Sequence, residues 1–181
     1  LITFCDAVQA ANKVPLVQAD AVVCSGHKLG APGAAAMLTN LAELEKHANF
    51  LRKHEYAVGR PDPAAIMTLA RAVSFANRAD KISAVNRYLR ETLAKAVPKL
   101  RFTVSAEHSS PYILHFILPG YESGVVIRML SERQIYAASS SACSSESNAP
   151  STVLTALKFP KNEAFAGMRL SFGYDTLQSE A

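Results

Sequence analysis

Three short apolar runs, Leu1 to Phe4, Ala21 to Cys24 and Ala34 to Thr39, open the chain, and none of them carries a charge. Runs this short that are apolar at nearly every position fit neither an amphipathic helix nor a strand with one wet face. They fit strands covered on both faces. Turn-forming residues separate them, first Asn12-Lys13-Val14-Pro15 and then the loop from Ser25 to Gly33. The expected class is α/β, with these strands in a sheet flanked by helices.

A different pattern starts at Asp62. Its carboxylate suits a helix N-cap, and Pro63 suits the first helical position. Ile66, Leu69, Val73 and Ala76, then Ile82, Val85, Leu89 and Leu93, recur every three or four residues until Pro98. The spacing predicts one long connecting helix, or two end to end, over residues 63–97. Beyond Pro98, the runs Arg101–Ser105 and Tyr112–Leu118 read as strands, and Ser123 as the cap of a helix carrying Val126, Met129 and Leu130. A strand at Ile135 to Ala138, a Ser-rich stretch from Ser139 to Ser147, a helix from Ser151 to Leu157 and a strand at Met168 to Phe172 follow. The expectation is three parts: residues 1–62 from a larger α/β domain, the helix at 63–97, and a small α+β domain at 98–181.

Composition narrows the function classes. With 49% hydrophobic and 19% charged residues the chain can build a core, which excludes wholesale disorder. The net charge of +4 is spread along the chain with no basic block, so nucleic acid is not expected as a direct partner. No apolar stretch is long enough to span a bilayer as a helix. The cysteines Cys5, Cys24 and Cys143 are odd in number and form no CxxC pair, so neither a disulfide framework nor a metal site is expected. A reducing, cytoplasmic setting suits them, and Cys5 and Cys24 read as small apolar strand residues. The first residues do not resemble a signal peptide, and a start inside an apolar run reads as a chain cut from something longer.

Two clusters could carry chemistry. Asp6-Ala7-Val8-Gln9 follows the first strand, and Ser25-Gly26-His27-Lys28 follows the second. Both would lie at the C-terminal edge of a sheet, where open α/β folds place ligands. A lysine among small residues there can be desolvated enough to act as a neutral amine, and a carboxylate can hold a pyridine nitrogen protonated. Taken singly, Asp6 is also readable as a strand-end turn residue, Lys28 as a solvated loop lysine and His27 as a core histidine.

Together with Gly30-Ala31-Pro32-Gly33, these strings resemble the pyridoxal phosphate segment of class V aminotransferases. The Ser-rich run Ser139 to Ser145 around Cys143, then Pro150-Ser151-Thr152-Val153-Leu154 and Met168-Arg169-Leu170-Ser171-Phe172-Gly173, resembles the cysteine desulfurase branch of NifS/IscS type. Ser105-Ala106-Glu107-His108 and Pro111-Tyr112-Ile113-Leu114 fit that family's small domain. The resemblance implies a pyridoxal phosphate transferase of fold type I. Residues 1–62 would belong to its large domain and residues 98–181 would form its small domain with a mobile cysteine loop.

The resemblance also implies roles. Lys28 would bind pyridoxal 5'-phosphate covalently, Asp6 would pair with the pyridinium nitrogen, and Gln9 would hydrogen-bond the ring oxygen. Ser25 and His27 would hold the phosphate, and Arg60 could meet a phosphate across a dimer interface. Arg169 would grip the carboxylate of L-cysteine, for which a planar guanidinium is suited. Cys143 would take the sulfur as a persulfide, leaving L-alanine. A homodimer that hands sulfur to an acceptor or iron–sulfur scaffold protein, or to tRNA thiolation, is implied.

Three features depart from the family pattern: Phe4 replaces a usual histidine, the stretch after Pro32 lacks a lysine that members commonly carry before the glycine, and Gly59-Arg60-Pro61 stands where a Gly-Thr pair is usual. The match covers only about the C-terminal half of a family member. Apolar strand faces should therefore be left uncovered, and the chain alone should be catalytically incompetent. Alternatives are a selenocysteine lyase, an aminotransferase, or a non-catalytic relative acting as a binding partner.

Overall fold

The N-terminal apolar runs pair into a three-stranded sheet ordered β1 (Phe4–Asp6), β2 (Ala21–Ser25) and β3 (Ala35–Thr39). The computed structural model describes residues 1–53, 62–74, 79–139 and 150–180. It forms two units, Leu1–Asn77 and Arg78–Ala181.

In the first unit β1 and β2 run parallel, with Phe4 opposite Ala21 and Asp6 opposite Val23. β2 and β3 run antiparallel, with Ala21 opposite Thr39 and Ser25 opposite Ala35. Parallel strands need a longer connection than antiparallel ones. Residues 7–20 supply it between β1 and β2, whereas a single 3₁₀ turn, Gly26–Leu29, begins the link from β2 to β3. The first strand starts at Phe4, with Leu1 and Ile2 fully exposed before it. Coverage on both faces, as the apolar runs suggested, is not found: Phe4 is 64% exposed, Met37 48% and Leu38 62%. Among the described residues β1 and β3 have a neighbouring strand on one side only, and the central β2 alone buries strand residues, Ala21 and Cys24.

Helix α1 (Ala42–Lys53) follows β3, with Glu43 and Glu45 in its first turn, where carboxylates favour the positive end of the helix. No apolar period in the sequence predicts this helix, whose residues are mostly polar. Helix α2 (Pro63–Ser74) starts as its sequence predicts: Asp62 Oδ1 accepts the Ala64 N–H at 2.9 Å, and Pro63 occupies the first turn. Its buried residues are Leu69 and Ala72, whereas Ile66 and Val73 of the expected stripe are half exposed.

In the second unit helix α3 (Ala79–Ala96) buries Ile82, Val85, Asn86 and Leu89. The predicted 63–97 helix is thus two helices, with residues 75–78 outside the described residues, and the division between units falls there. A four-stranded antiparallel sheet follows, ordered β4 (Arg101–Phe102), β5 (Ile113–Ile117), β7 (Gly167–Ser171) and β6 (Ala138–Ser139). Leu114 and Phe116 point from one face of β5 into a core with Val85, Leu89 and Met168. Val126 and Ile127 of helix α4 (Ser123–Ser131) pack on that core, whereas Met129 is half exposed. Ile117, on the other face, meets Leu154 of α5 (Thr152–Ala156) and Ala164 of α6 (Lys161–Ala164). Burying a side chain the size of Leu114, which is fully inaccessible, contributes roughly 1.5–3 kcal/mol.

The helix caps differ from one another. Ser151 caps α5 through its side chain, accepting the Leu154 N–H at 3.3 Å. Glu122, and not Ser123, holds the cap position of α4, and the Ser123 N–H donates to Phe165 O at 3.1 Å. Here a tertiary hydrogen bond overrides the local cap preference. Asn86, buried in α3, donates from Nδ2 to Pro111 O and Ile113 O, tying the helix to the start of β5. Among the described residues no helix is long and apolar enough to cross a membrane.

Candidate active site

Parallel pairing of β1 and β2 has a direct consequence for the chemistry. Both strands end at the same sheet edge, so Asp6, the last residue of β1, and Ser25, the last of β2, lie side by side there. The ladder continues through Ala7, whose N–H donates to Val23 O at 2.8 Å. The chain then winds through tight turns from Ala7 to Val14, burying Ala7 and Ala11 and leaving Gln9 exposed. Asp6 Oδ1 accepts the Val8 N–H at 2.9 Å, which fixes the carboxylate at the strand end. Among the described residues its Oδ2 has no partner, so the acid can still meet a cationic ring nitrogen.

At the end of β2 Ser25 has extended backbone and its side chain makes no capping hydrogen bond. That hydroxyl is available to an anion at the start of the Gly26–Leu29 turn. Gly26 is enclosed on all sides. Its N–H donates to Ala34 O at 2.9 Å, its carbonyl accepts from Ala31 at 2.8 Å, and a Cβ there would lie 2.0 Å from Ala31 O. Only glycine fits such a close backbone approach. Gly30, at φ 76°, then turns the chain back in the left-handed region. Leu29 is buried with Ala31 against Leu69 and Ala72 of α2, so the turn is anchored by its apolar member. His27 and Lys28 on that turn are exposed. The desolvation expected for Lys28 from its small neighbours is therefore absent among the described residues. The turn buries Leu29 and leaves the amine in water.

Lys13, a turn residue by sequence, is a neighbour of the site. Its amine is held below the ordinary lysine range, first by partial burial and second by the charge of Lys28, which places the two cations near one another. Asn12 beside it, at φ 56°, donates from Nδ2 to Ala72 O at 3.3 Å and pins this turn to the end of α2. A lysine between Asn12 and Val14 gives no spacing signal, because its approach to Lys28 depends on how two separate loops fold back.

The first unit thus brings together Asp6, Gln9, Ser25, His27 and Lys28 on the two segments leaving one sheet edge. Arg169 belongs to the second unit, where it is exposed on β7 opposite His115 of β5 and Ala138 of β6. Among the described residues no carboxylate pairs with it. Burial, and secondly the Arg169 charge, holds the His115 imidazole below the ordinary histidine range. Arg60 and Cys143 lie outside the described residues. Cys5 is partly buried and Cys24 buried, and both thiols are free. Among the described residues no three His, Cys, Asp or Glu side chains cluster as a metal site.

The sheet-edge lysine and carboxylate and the antiparallel second unit agree with the fold type I class that the sequence resemblance implies. The whole chain, residues 1–181, matches the aminotransferase class-V family model, and the chain belongs to that family. It is 27% identical over 188 aligned residues to a cysteine desulfurase of Klebsiella pneumoniae, covering 97% of this chain and 47% of that protein. It is 28% identical to the cysteine desulfurase NifS of Azotobacter vinelandii, covering 97% of this chain and 46% of that protein. A NifS-like protein from Rickettsia africae superposes with a TM-score of 0.76 at 18% identity, over 98% of this chain and 49% of its own. The cysteine desulfurase CsdA from Escherichia coli does so at 0.74 and 18% identity, over 99% of this chain and 49% of its own. This chain spans about half the length of the relatives it matches.

Proposed function

We propose that this chain carries the lysine and the sulfur-accepting cysteine of a pyridoxal phosphate-dependent cysteine desulfurase. The observation that carries the reading is the shared edge of β1 and β2, which puts Asp6 beside the Ser25–Lys28 turn. The donor set suits the cofactor. Lys28 offers an exposed amine for an aldehyde, Asp6 a fixed carboxylate with a free oxygen for a ring nitrogen, and Ser25 and His27 donors for a phosphate. Gly26, whose missing Cβ leaves room for the Ala31 carbonyl, lets the turn fold tightly enough to hold Ser25, His27 and Lys28 at this edge. When bound, pyridoxal phosphate supplies an electron sink for the substrate's α-carbon.

The chain's own groups do the rest. Asp6, fixed by the Val8 N–H, presents its other oxygen to a cationic nitrogen. Gln9 orients the ring oxygen. Lys13 adds positive charge beside Lys28 and favours an anionic ligand at this edge. Arg169 takes the carboxylate of L-cysteine in a bidentate pair. The Cys143 thiolate would attack the substrate sulfur; the new S–S bond forms as the carbon–sulfur bond breaks, the released electron pair stays with the substrate carbons, and a proton taken up at Cβ gives L-alanine. The Ser-rich surroundings of Cys143 suit a carrier that must visit both a substrate and an acceptor protein. A homodimer in the cytoplasm, with Arg60 meeting a phosphate across the subunit interface, completes the reading.

The test uses borohydride to trap the cofactor. Incubation with pyridoxal phosphate, reduction and peptide mass mapping should place a pyridoxyl group on Lys28, and Lys28→Ala should abolish it. Label on other lysines in place of Lys28 would overturn the assignment. In a protein that also contains the other half of the fold, Cys143→Ser should keep the label and lose sulfide release by at least ~100-fold. Unchanged turnover in that variant would exclude desulfurase chemistry and point to an aminotransferase.

A further inference from the structure

Backbone hydrogen bonds along β5 show which side chains meet across the second sheet. Phe172 N–H donates to Tyr112 O at 2.9 Å and Leu118 N–H to Ala166 O at 3.4 Å, so even-numbered positions of β5 bond toward β7. Thr103 N–H donates to His115 O at 3.2 Å, so odd-numbered positions bond toward β4. His115 and Arg169 lie directly opposite one another and therefore form a non-hydrogen-bonded pair. In such pairs the Cα atoms are about 4.5 Å apart and the side chains are nearest. On the other flank Thr103 Oγ1 lies 2.9 Å from His115 Nδ1. Thr103, His115, Arg169 and Ala138 thus form one cross-strand row on one face of the sheet.

We propose that His115 is a positioning residue for Arg169, and that a carboxylate held by Arg169 is thermodynamically linked to a proton on His115. The inference rests on the reading of Arg169 as a carboxylate binder and adds a partner to it. Thr103 holds the imidazole ring at 2.9 Å, so the residue opposite Arg169 is fixed in place. A neutral ring is the state compatible with an unpaired guanidinium across the strands. When a carboxylate neutralises Arg169, the repulsion on the ring falls and His115 gains proton affinity. By reciprocity a proton on His115 tightens the carboxylate.

The charged groups of the described elements beside this row are few. Arg101, on the same face of β4, is ion-paired with Glu163 of α6. Lys161 lies at the start of α6. Neither α5 nor β6 brings a titratable group.

The test is an NMR titration of the His115 ring in the 181-residue chain, with sodium propionate as probe and sodium chloride at matched ionic strength as control. The Arg169 Nε–Hε signal is followed in the same samples. Propionate should shift the Arg169 signal and raise the His115 midpoint by roughly half a pH unit, about a threefold gain in proton affinity. Arg169→Gln should raise the midpoint without propionate and cancel the propionate effect, while Arg169→Lys, which keeps the charge, should hold it low. His115→Ala should weaken propionate at Arg169 by about threefold; His115→Gln should restore it at neutral pH but without pH dependence. If propionate moves Arg169 while the His115 midpoint stays put, the inference fails and the carboxylate reading survives. If propionate leaves Arg169 unmoved while Arg169→Gln still raises the midpoint, the carboxylate reading fails and takes the proposed linkage with it.

Discussion

The two units bury different kinds of side chain. Among the described residues the largest fully buried side chains, Ile82, Val85, Leu114, Ile117, Leu154 and Met168, all belong to the second unit. In the first unit the buried set is dominated by Ala7, Ala11, Ala21, Ala31, Ala72 and Cys24, with Leu29 and Leu69 as its larger members. The first unit meanwhile leaves Phe4, Leu38, Ile66 and Met67 more than half exposed. A four-stranded sheet with helices on it can hide large side chains within its own boundaries, whereas three strands with open edges cannot. The second unit carries its own core, and the first offers a chemical edge with small residues packed closely behind it.

Substitutions that act on one unit alone sharpen this contrast. Leu114→Ala empties a fully buried site between α3 and the sheet, and should cost about 2–5 kcal/mol. Amide exchange should quicken across β5 and β7 and stay unchanged in β2; equal loosening of β2 would show that the units are one cooperative block.

Gly26→Ala forces a methyl group against the Ala31 carbonyl, and overpacking of this kind costs typically about 1–3 kcal/mol. Faster exchange should be confined to β2 and its turn, and borohydride capture on Lys28 should fall with it. Full capture by this variant would show that the tight packing of the turn does not set the position of the Lys28 amine.

The smallest effect separates the units by pH. His115 has its folded pKa below the unfolded value of about 6.5, so its contribution is complete above that pH and is lost as pH falls toward the folded pKa. Asp20, in the first unit, accepts from the Thr3 N–H and Thr3 Oγ1, both at 2.7 Å, and these bonds hold its carboxyl below the ordinary range. Its contribution is complete above the unfolded value of about 3.9 and is lost only at lower pH. Mild acid should therefore loosen β5 before it loosens β1. His115→Gln should remove the first change and Asp20→Asn the second; the reverse order of loosening would refute this assignment.

Much of the local structure was legible. Asp62-Pro63 announced α2 because capping is a matter of adjacent residues, and Ser151 announced α5 for the same reason. The stripe Ile82, Val85, Leu89 gave the buried face of α3. Helix α1 carried a readable signal in Glu43 and Glu45, but its outer residues are polar and lack a clear apolar period. Ser123 misled because its backbone N–H had a better partner in Phe165, distant in sequence. In α2 the choice of Leu69 and Ala72 over Ile66 depended on where Leu29 came to rest.

By itself the order of residues determined the α/β class and the groups available at each strand end: Asp6 after one strand, Ser25 to Lys28 after the next, Arg169 on the last. Those are consequences of composition and short-range pattern. The shared edge of acid and amine was already expected from the sequence; the tertiary structure supplied the parallel register of β1 and β2 that realises it and decided that His115 stands opposite Arg169. Strand direction and register are set by pairing between distant segments, and no local preference encodes which partner a strand will meet.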